Sequence, residues 1–197
     1  MISFTNEILR KSIHLSNLVV PLFLFFYGRD LALILLTPIS IIFITLDLLR
    51  IKNQMVRDTY NFFFKSITRD KENKRLTGAS YVFMASTITI FLFPETIAIA
   101  ALMIMSISDT FAAIIGKTYG SIFIREKTIE GSVSFLIASL AIVLLFPDLN
   151  IIISILCVFA TTIVELYTPI NDNLSIPITF SGVYVFVDTL MKSNGVF

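Results

Sequence analysis

The sequence predicts an all-α, polytopic integral membrane protein with about seven transmembrane helices and a cytoplasmic N-terminus. Three observations predict it. Of 197 residues, 56% are hydrophobic and 19 are phenylalanine, with no tryptophan. The mean hydropathy of +0.88 lies far from that of a soluble domain. Apolar runs near the length that crosses a bilayer alternate with short polar turns, leaving no room for a separate soluble domain. Residues 1–197 therefore read as a single transmembrane domain.

The first run, 12–27, is entered through Glu7, Arg10, Lys11 and His14, whose i, i+3, i+4, i+7 spacing puts them on one helix face. It lacks a small-residue cleavage site and is expected to stay in the chain. The second run, 31–49, closes with Asp47 and Arg50 on a shared face. Residues 51–70 form an amphipathic pattern: Val56, Tyr60, Phe63, Phe64 and Ile67 oppose Arg57, Asn61, Lys65 and Arg69, as expected of a helix lying in the headgroup region. The third run, 78–93, follows Thr77 and Gly78, and the fourth, 96–116, carries Asp109 in its second half. Lys127 and Glu130 precede the fifth run, 131–146; Glu165 ends the sixth, 150–167; Asp172 and Asn173 precede the seventh, 174–191.

Orientation follows from the basic residues. With the N-terminus inside, Arg10, Lys11, the eight from Arg50 to Arg75, Lys117, Arg125 and Lys127 are cytoplasmic, and only Arg29 and Lys192 lie outside. The net charge of +1 gives no reason to expect a nucleic-acid partner. One histidine and one cysteine exclude a His/Cys zinc site, and the lone Cys157 within an apolar run forms no internal disulfide.

Ionisable groups within spanning helices cost about 2.5–3.5 kcal/mol each on insertion scales, and so mark function. On this topology they collect on the cytoplasmic side. Glu7 with Arg10 or Lys11, and Asp47 with Arg50, also suit plain helix-end ion pairs. Asp109 is followed on its own face by Ala112, Ala113, Gly116 and Gly120, a strip without bulk. Such a strip allows close helix packing; beside a carboxylate it also leaves room for a ligand and a hydrated Mg2+ ion. "IIGKT" is not a P-loop, because Phe111 stands where the first glycine belongs and a helix leads into it. Arg125, Lys127 and Thr128 stand just before the fifth helix, with Gly131 and Ser132 at its boundary; backbone N–H groups at a helix start beside Lys127 suit phosphate.

The line "SDTFAAIIGKTYG…REKTIEGS" resembles the signature of membrane enzymes that use CTP: the phosphatidate cytidylyltransferases, and the family of dolichol kinase, phytol kinase and CTP-dependent diacylglycerol kinase. The shared pattern falls on Asp109, Ala112, Gly116, Lys117, Tyr119, Gly120, Lys127, Thr128, Glu130 and Gly131. "EILRKSIH" (Glu7, Arg10, Lys11, His14), "RLTGAS" and "ELYTPINDNLSIP" (Glu165, Asp172, Asn173, Pro177) are similar to the kinase family, and the cytidylyltransferases' later acidic and basic stretch has no counterpart. The resemblance implies transfer of the CTP γ-phosphate to the hydroxyl of a polyprenol-, dolichol- or phytol-like alcohol or of diacylglycerol, at the cytoplasmic face of a cell membrane. Asp109, Glu165 and Asp172 would then bind Mg2+, with one accepting the hydroxyl proton, and Lys127 would serve catalysis. Arg10, Lys11, His14, Arg50, Gly116, Lys117, Gly120, Thr128, Glu130, Gly131, Ser132 and Asn173 would line the nucleotide site, with Glu7, Asp47, Thr77 and Gly78 as further polar members. Cytidylyl transfer and a small ion-coupled transporter are the alternatives.

Overall fold

A computed structural model describes residues 4–64 and 75–194. The architecture is all-α apart from one short hairpin. The elements run α1 (Phe4–Leu15), a 3-10 turn (Ser16–Leu18), α2 (Val19–Lys52), α3 (Gln54–Phe64), α4 (Gly78–Leu92), α5 (Glu95–Met103), a π-helical turn (Ile104–Ser108) and α6 (Asp109–Tyr119). Strands β1 (Phe123–Ile124) and β2 (Lys127–Thr128) lead into α7 (Ile129–Val143), α8 (Ile151–Tyr167) and α9 (Asp172–Ser193).

The run Leu9–Lys52 holds 44 residues. Unbroken, it would measure about 66 Å at 1.5 Å per residue, twice the hydrocarbon core. Gly28 breaks it, with φ 77° and ψ 174°, a conformation that favours glycine. Contacts on either side show that the chain reverses there. Before the break, Lys11 meets Asp109 and His14 meets Met105. After it, Arg29 donates to the Phe93 carbonyl, Ser40 bonds Thr87, and Asp47 meets Ser80 and Thr77, so this segment runs antiparallel to α4. The two expected spans 12–27 and 31–49 are thus separate antiparallel helical segments, with "YGRD" as their turn. All seven expected spans coincide with helical segments. Leu9–Lys52, Glu95–Tyr119 and Asp172–Ser193 are long and apolar enough to cross a membrane, whereas α4, α7 and α8 are shorter apolar helices.

The α5–α6 helix is the centre of the bundle: 72% of its apolar window is buried, against 22% for Leu9–Lys52 and 33% for α9. Ala98, Ala100 and Ala101 let neighbours approach its backbone closely, which suits packing in lipid, where dispersion rather than water exclusion holds helices together. Leu24, Leu102, Phe135, Ile153 and Phe180 fill the spaces between helices. Phe26, Ile34, Phe91, Leu144, Ile163 and Phe186 point outward and form an apolar surface suited to lipid.

Alternation of antiparallel helices brings the polar helix ends together. The ends of α2, α6 and α8 and the starts of α4, α7 and α9 share one end of the bundle with α1. Of the expected amphipathic helix 51–70, residues 65–70 lie outside the described residues, α3 covers 54–64, and 51–52 instead close α2. The Tyr60 ring lies 4.8 Å beneath the Arg50 guanidinium, while Phe62 and Phe63 are exposed.

Candidate functional site

Two lysine-carboxylate clusters lie side by side at this polar end. In the first, Lys11 Nζ donates to the Asp109 carboxylate and, at 3.0 Å, to the Asp109 carbonyl. His14 Nε2 reaches the Met105 carbonyl at 3.0 Å and Asp109 Oδ2 at 3.2 Å. Both of those partners only accept, so Nε2 carries the proton, and the Asn17 amide donates to Nδ1 at 3.3 Å. The imidazole thus holds Asp109 from one side through its Nε2–H. The π-helical turn makes this contact available: a π turn loosens the regular ladder, and Met105 belongs to it. Asp109 starts α6 directly after it.

In the second cluster, Lys127 Nζ meets Glu165 Oε1 at 2.9 Å and Asp172 Oδ1 at 2.7 Å, and also donates to the Glu165 carbonyl. Ser132 Oγ donates to Glu165 Oε2 at 2.6 Å. Burial alone would lower the Lys127 pKa, but the charges of Asp172 and Glu165 outweigh it and raise it above 10.5. Asp109 interacts electrostatically with Lys127, and Lys11 with Asp172, so the clusters form one seam.

A third group is structural. Asp47 Oδ2 accepts from Thr77 N at 2.6 Å, Thr77 Oγ1 at 2.8 Å and Ser80 Oγ at 2.5 Å, while Oδ1 accepts from Arg50 Nε at 3.1 Å. Arg50 also donates to the Arg75 carbonyl at 2.7 Å. Asp47 therefore locks the start of α4 to the end of α2, and Arg50 is spent on that lock rather than turned to the seam. Asn173 donates to the Gly78 carbonyl at 3.0 Å and joins α9 to this group.

The bulk-free strip after Asp109 corrects an expectation. It is filled rather than open. A Cβ on Gly116 would stand 2.7 Å from Thr128 Oγ1, and one on Gly131 would stand 2.7 Å from the Ala112 carbonyl. Ala112, Gly116 and Gly120 form a packing face for Thr128 and Gly131, so α6 and α7 cross at backbone contact. Gly131→Ala is accordingly expected to lower stability by about 1–3 kcal/mol, read as a fall in Tm in detergent. Thr128 caps α7 by accepting from Gly131 N at 3.2 Å.

Glu130 points away from Lys127. Its carboxylate accepts from Ser121 N at 2.9 Å, from the Ser121 hydroxyl and from Ile122 N at 3.3 Å, fastening the loop after α6. Arg10 is half-buried near Lys11 and His14, Lys117 is exposed in the last turn of α6, and the Glu7 side chain lies outside the described residues. Asn17 was not foreseen. Asn17 follows His14 by three residues on the shared face, a signal that helical spacing carries.

The chain is 36% identical over 189 residues to an uncharacterized protein, RP860, of Rickettsia prowazekii (strain Madrid E), with 90% of this chain and 92% of that protein aligned. The chain belongs to the RP860 family. Beyond this family it is distantly homologous to two proteins named as kinases. Against "Probable phytol kinase, chloroplastic" of Zea mays it is 32% identical over 136 residues, 58% of this chain and 45% of that one. Against "CTP-dependent diacylglycerol kinase 1" of Saccharomyces cerevisiae it is 28% identical over 134 residues, 66% of this chain and 46% of that one. The chain thus spans less than half the length of either kinase. No family model and no solved structure matches it.

Proposed function

We propose that this RP860-family chain is a membrane-embedded, CTP-dependent lipid-alcohol kinase whose polar end faces the cytoplasm, with the N-terminus inside. The seam of Lys11, Asp109, Lys127, Glu165 and Asp172 carries the reading. Phosphoryl transfer needs neutralised charge and in-line positioning more than covalent catalysis, and the buried Lys11 and half-buried Lys127 ammonium groups among three carboxylates supply those parts. The kinases among its distant homologues support the same chemistry.

The lipid hydroxyl attacks the γ-phosphorus; the new O–P bond forms as the bond to the β-phosphate oxygen breaks, and CDP leaves with that electron pair. Asp172 takes the hydroxyl proton. Its carboxylate is the most open of the three, with 27% of its side chain exposed against 10% for Asp109 and 4% for Glu165. Lys127 and Lys11 hold phosphate charge at the start of α7 and α6.

Mg2+ takes hard oxygen donors, commonly one or two carboxylates plus substrate phosphate. No group of three His, Cys, Asp or Glu side chains is poised to hold a metal among the described residues. One or two of the carboxylates of Asp109, Glu165 and Asp172 would still supply that partial donor set. They would hold Mg2+ together with the nucleotide, and the ion would neutralise phosphate charge.

An ion-coupled carrier needs polar groups along its path. Among the described residues the charged side chains gather towards the two ends of the bundle, Asp109 and Lys11 reaching furthest inward, and beyond them the interior carries hydroxyls such as Ser86, Thr89 and Ser154. The deciding assay supplies the purified chain with phytol, a polyprenol or diacylglycerol and CTP labelled at either phosphate. Label from the γ-position is expected in the lipid phase. Lipid labelled only from the α-position, with pyrophosphate released, overturns the kinase reading in favour of cytidylyl transfer.

A further inference from the structure

The connection between α6 and α7 is a braced hairpin. Phe123 pairs with Thr128 and Ile124 with Lys127, and the Ile129 N–H closes its base on the Ile122 carbonyl at 3.0 Å. Glu130 fastens the preceding bend, as described above. At the tip Arg125 adopts φ 58°, a left-handed conformation unusual for a residue with a Cβ, and its guanidinium donates to the Tyr167 carbonyl at 2.7 Å. The hairpin is thereby held to the ends of α6, α7 and α8.

What it presents outward is apolar. Ile122 is 56% exposed, Phe123 68% and Tyr119 70%, with Lys117 and Arg125 alongside. Connecting loops in water are polar, and an aromatic cluster there needs a partner. α6 and α7 are apolar segments of a bundle whose outer surface suits lipid, so a hairpin joining their ends emerges where hydrocarbon gives way to headgroups. Aromatic rings with flanking basic side chains are the composition that this layer favours. α3, at the same end of the bundle, also turns Phe62 and Phe63 outward.

We propose that the 120–128 hairpin is an interfacial anchor, seated through Ile122 and Phe123 in the headgroup layer of an anionic membrane. Its inner edge carries Lys127 to Glu165 and Asp172, so the anchor sets the depth at which the seam meets the bilayer. The inference rests on the membrane reading and stands whether or not the chain transfers phosphate.

The chain has no tryptophan, so Phe123→Trp adds a single emitter at an exposed aromatic position. The full-length variant is reconstituted into vesicles of phosphatidylcholine and phosphatidylglycerol. Lipids brominated near the headgroup are expected to quench it about twofold or more over aqueous acrylamide. Stronger quenching by acrylamide overturns the proposal. So does emission insensitive to both quenchers together with cross-linking of Phe123→Cys between copies, which would make the patch an interface with a second copy. Ile122→Trp reads the same patch should Phe123→Trp fail to fold.

Discussion

Asp109→Asn is expected to cut lipid phosphorylation by about 10²–10³-fold or more, the scale lost with a preorganised charge at a reacting centre. The variant also leaves Lys11, 3% exposed, without its carboxylate. Removing one partner of a buried pair costs about 3–5 kcal/mol, so Tm is expected to fall as well. A single variant therefore confounds chemistry with folding. Lys11→Met/Asp109→Asn separates them, because it removes both charges and leaves an apolar stem where the ammonium lay. Thermal stability is expected to recover in the double variant and activity to stay lost. Activity that returns with stability would reduce Asp109 to a structural partner of α1 and sink its role at the reacting phosphate.

Much of this site was legible because helical spacing states which residues share a face. Lys11 and His14 do reach Asp109, and Lys127, Glu165 and Asp172 do converge, although the six come from five separate elements. Positive-inside counting had already gathered them at one end. Spacing does not state what opposes a face. Ala112, Gly116 and Gly120 share one in any reading, but only tertiary contact with Thr128 and Gly131 decides that the strip is filled. The same limit hid the roles of Arg50 and Glu130. A basic residue at a helix end looks alike whether it holds a phosphate or, as Arg50 does, a capping aspartate beneath which α4 begins.

Backbone features without a composition signal were also invisible. The π-helical turn lies within an apolar run that reads as ordinary helix, yet it presents Met105 to His14 and fixes the direction of Asp109. The hairpin "FIREKT" lacks the Asn-Gly or Asp-Gly that usually announces a two-residue turn, because Arg125 takes the left-handed position instead. The bond from Arg125 to Tyr167 compensates for that conformation, and it joins residues far apart in the chain.

Lys127→Met carries the second large effect. In the native chain the Lys127 pKa is raised, so its ion pairs contribute fully below pH 10.5 and are lost only as the pH climbs through the higher folded value. Native activity should therefore show no alkaline limb from Lys127 below that pH. Without the ammonium, Glu165 and Asp172 face one another uncompensated at a site where Glu165 is almost fully buried. Activity is expected to fall about 10²–10³-fold, together with stability. Adding Asp172→Asn relieves the repulsion, so the double variant should regain Tm without regaining activity. A lysine that merely anchored the chain at a membrane surface would contribute at most about 1 kcal/mol. Its replacement would leave turnover near native, and that outcome would remove Lys127 from the phosphate site.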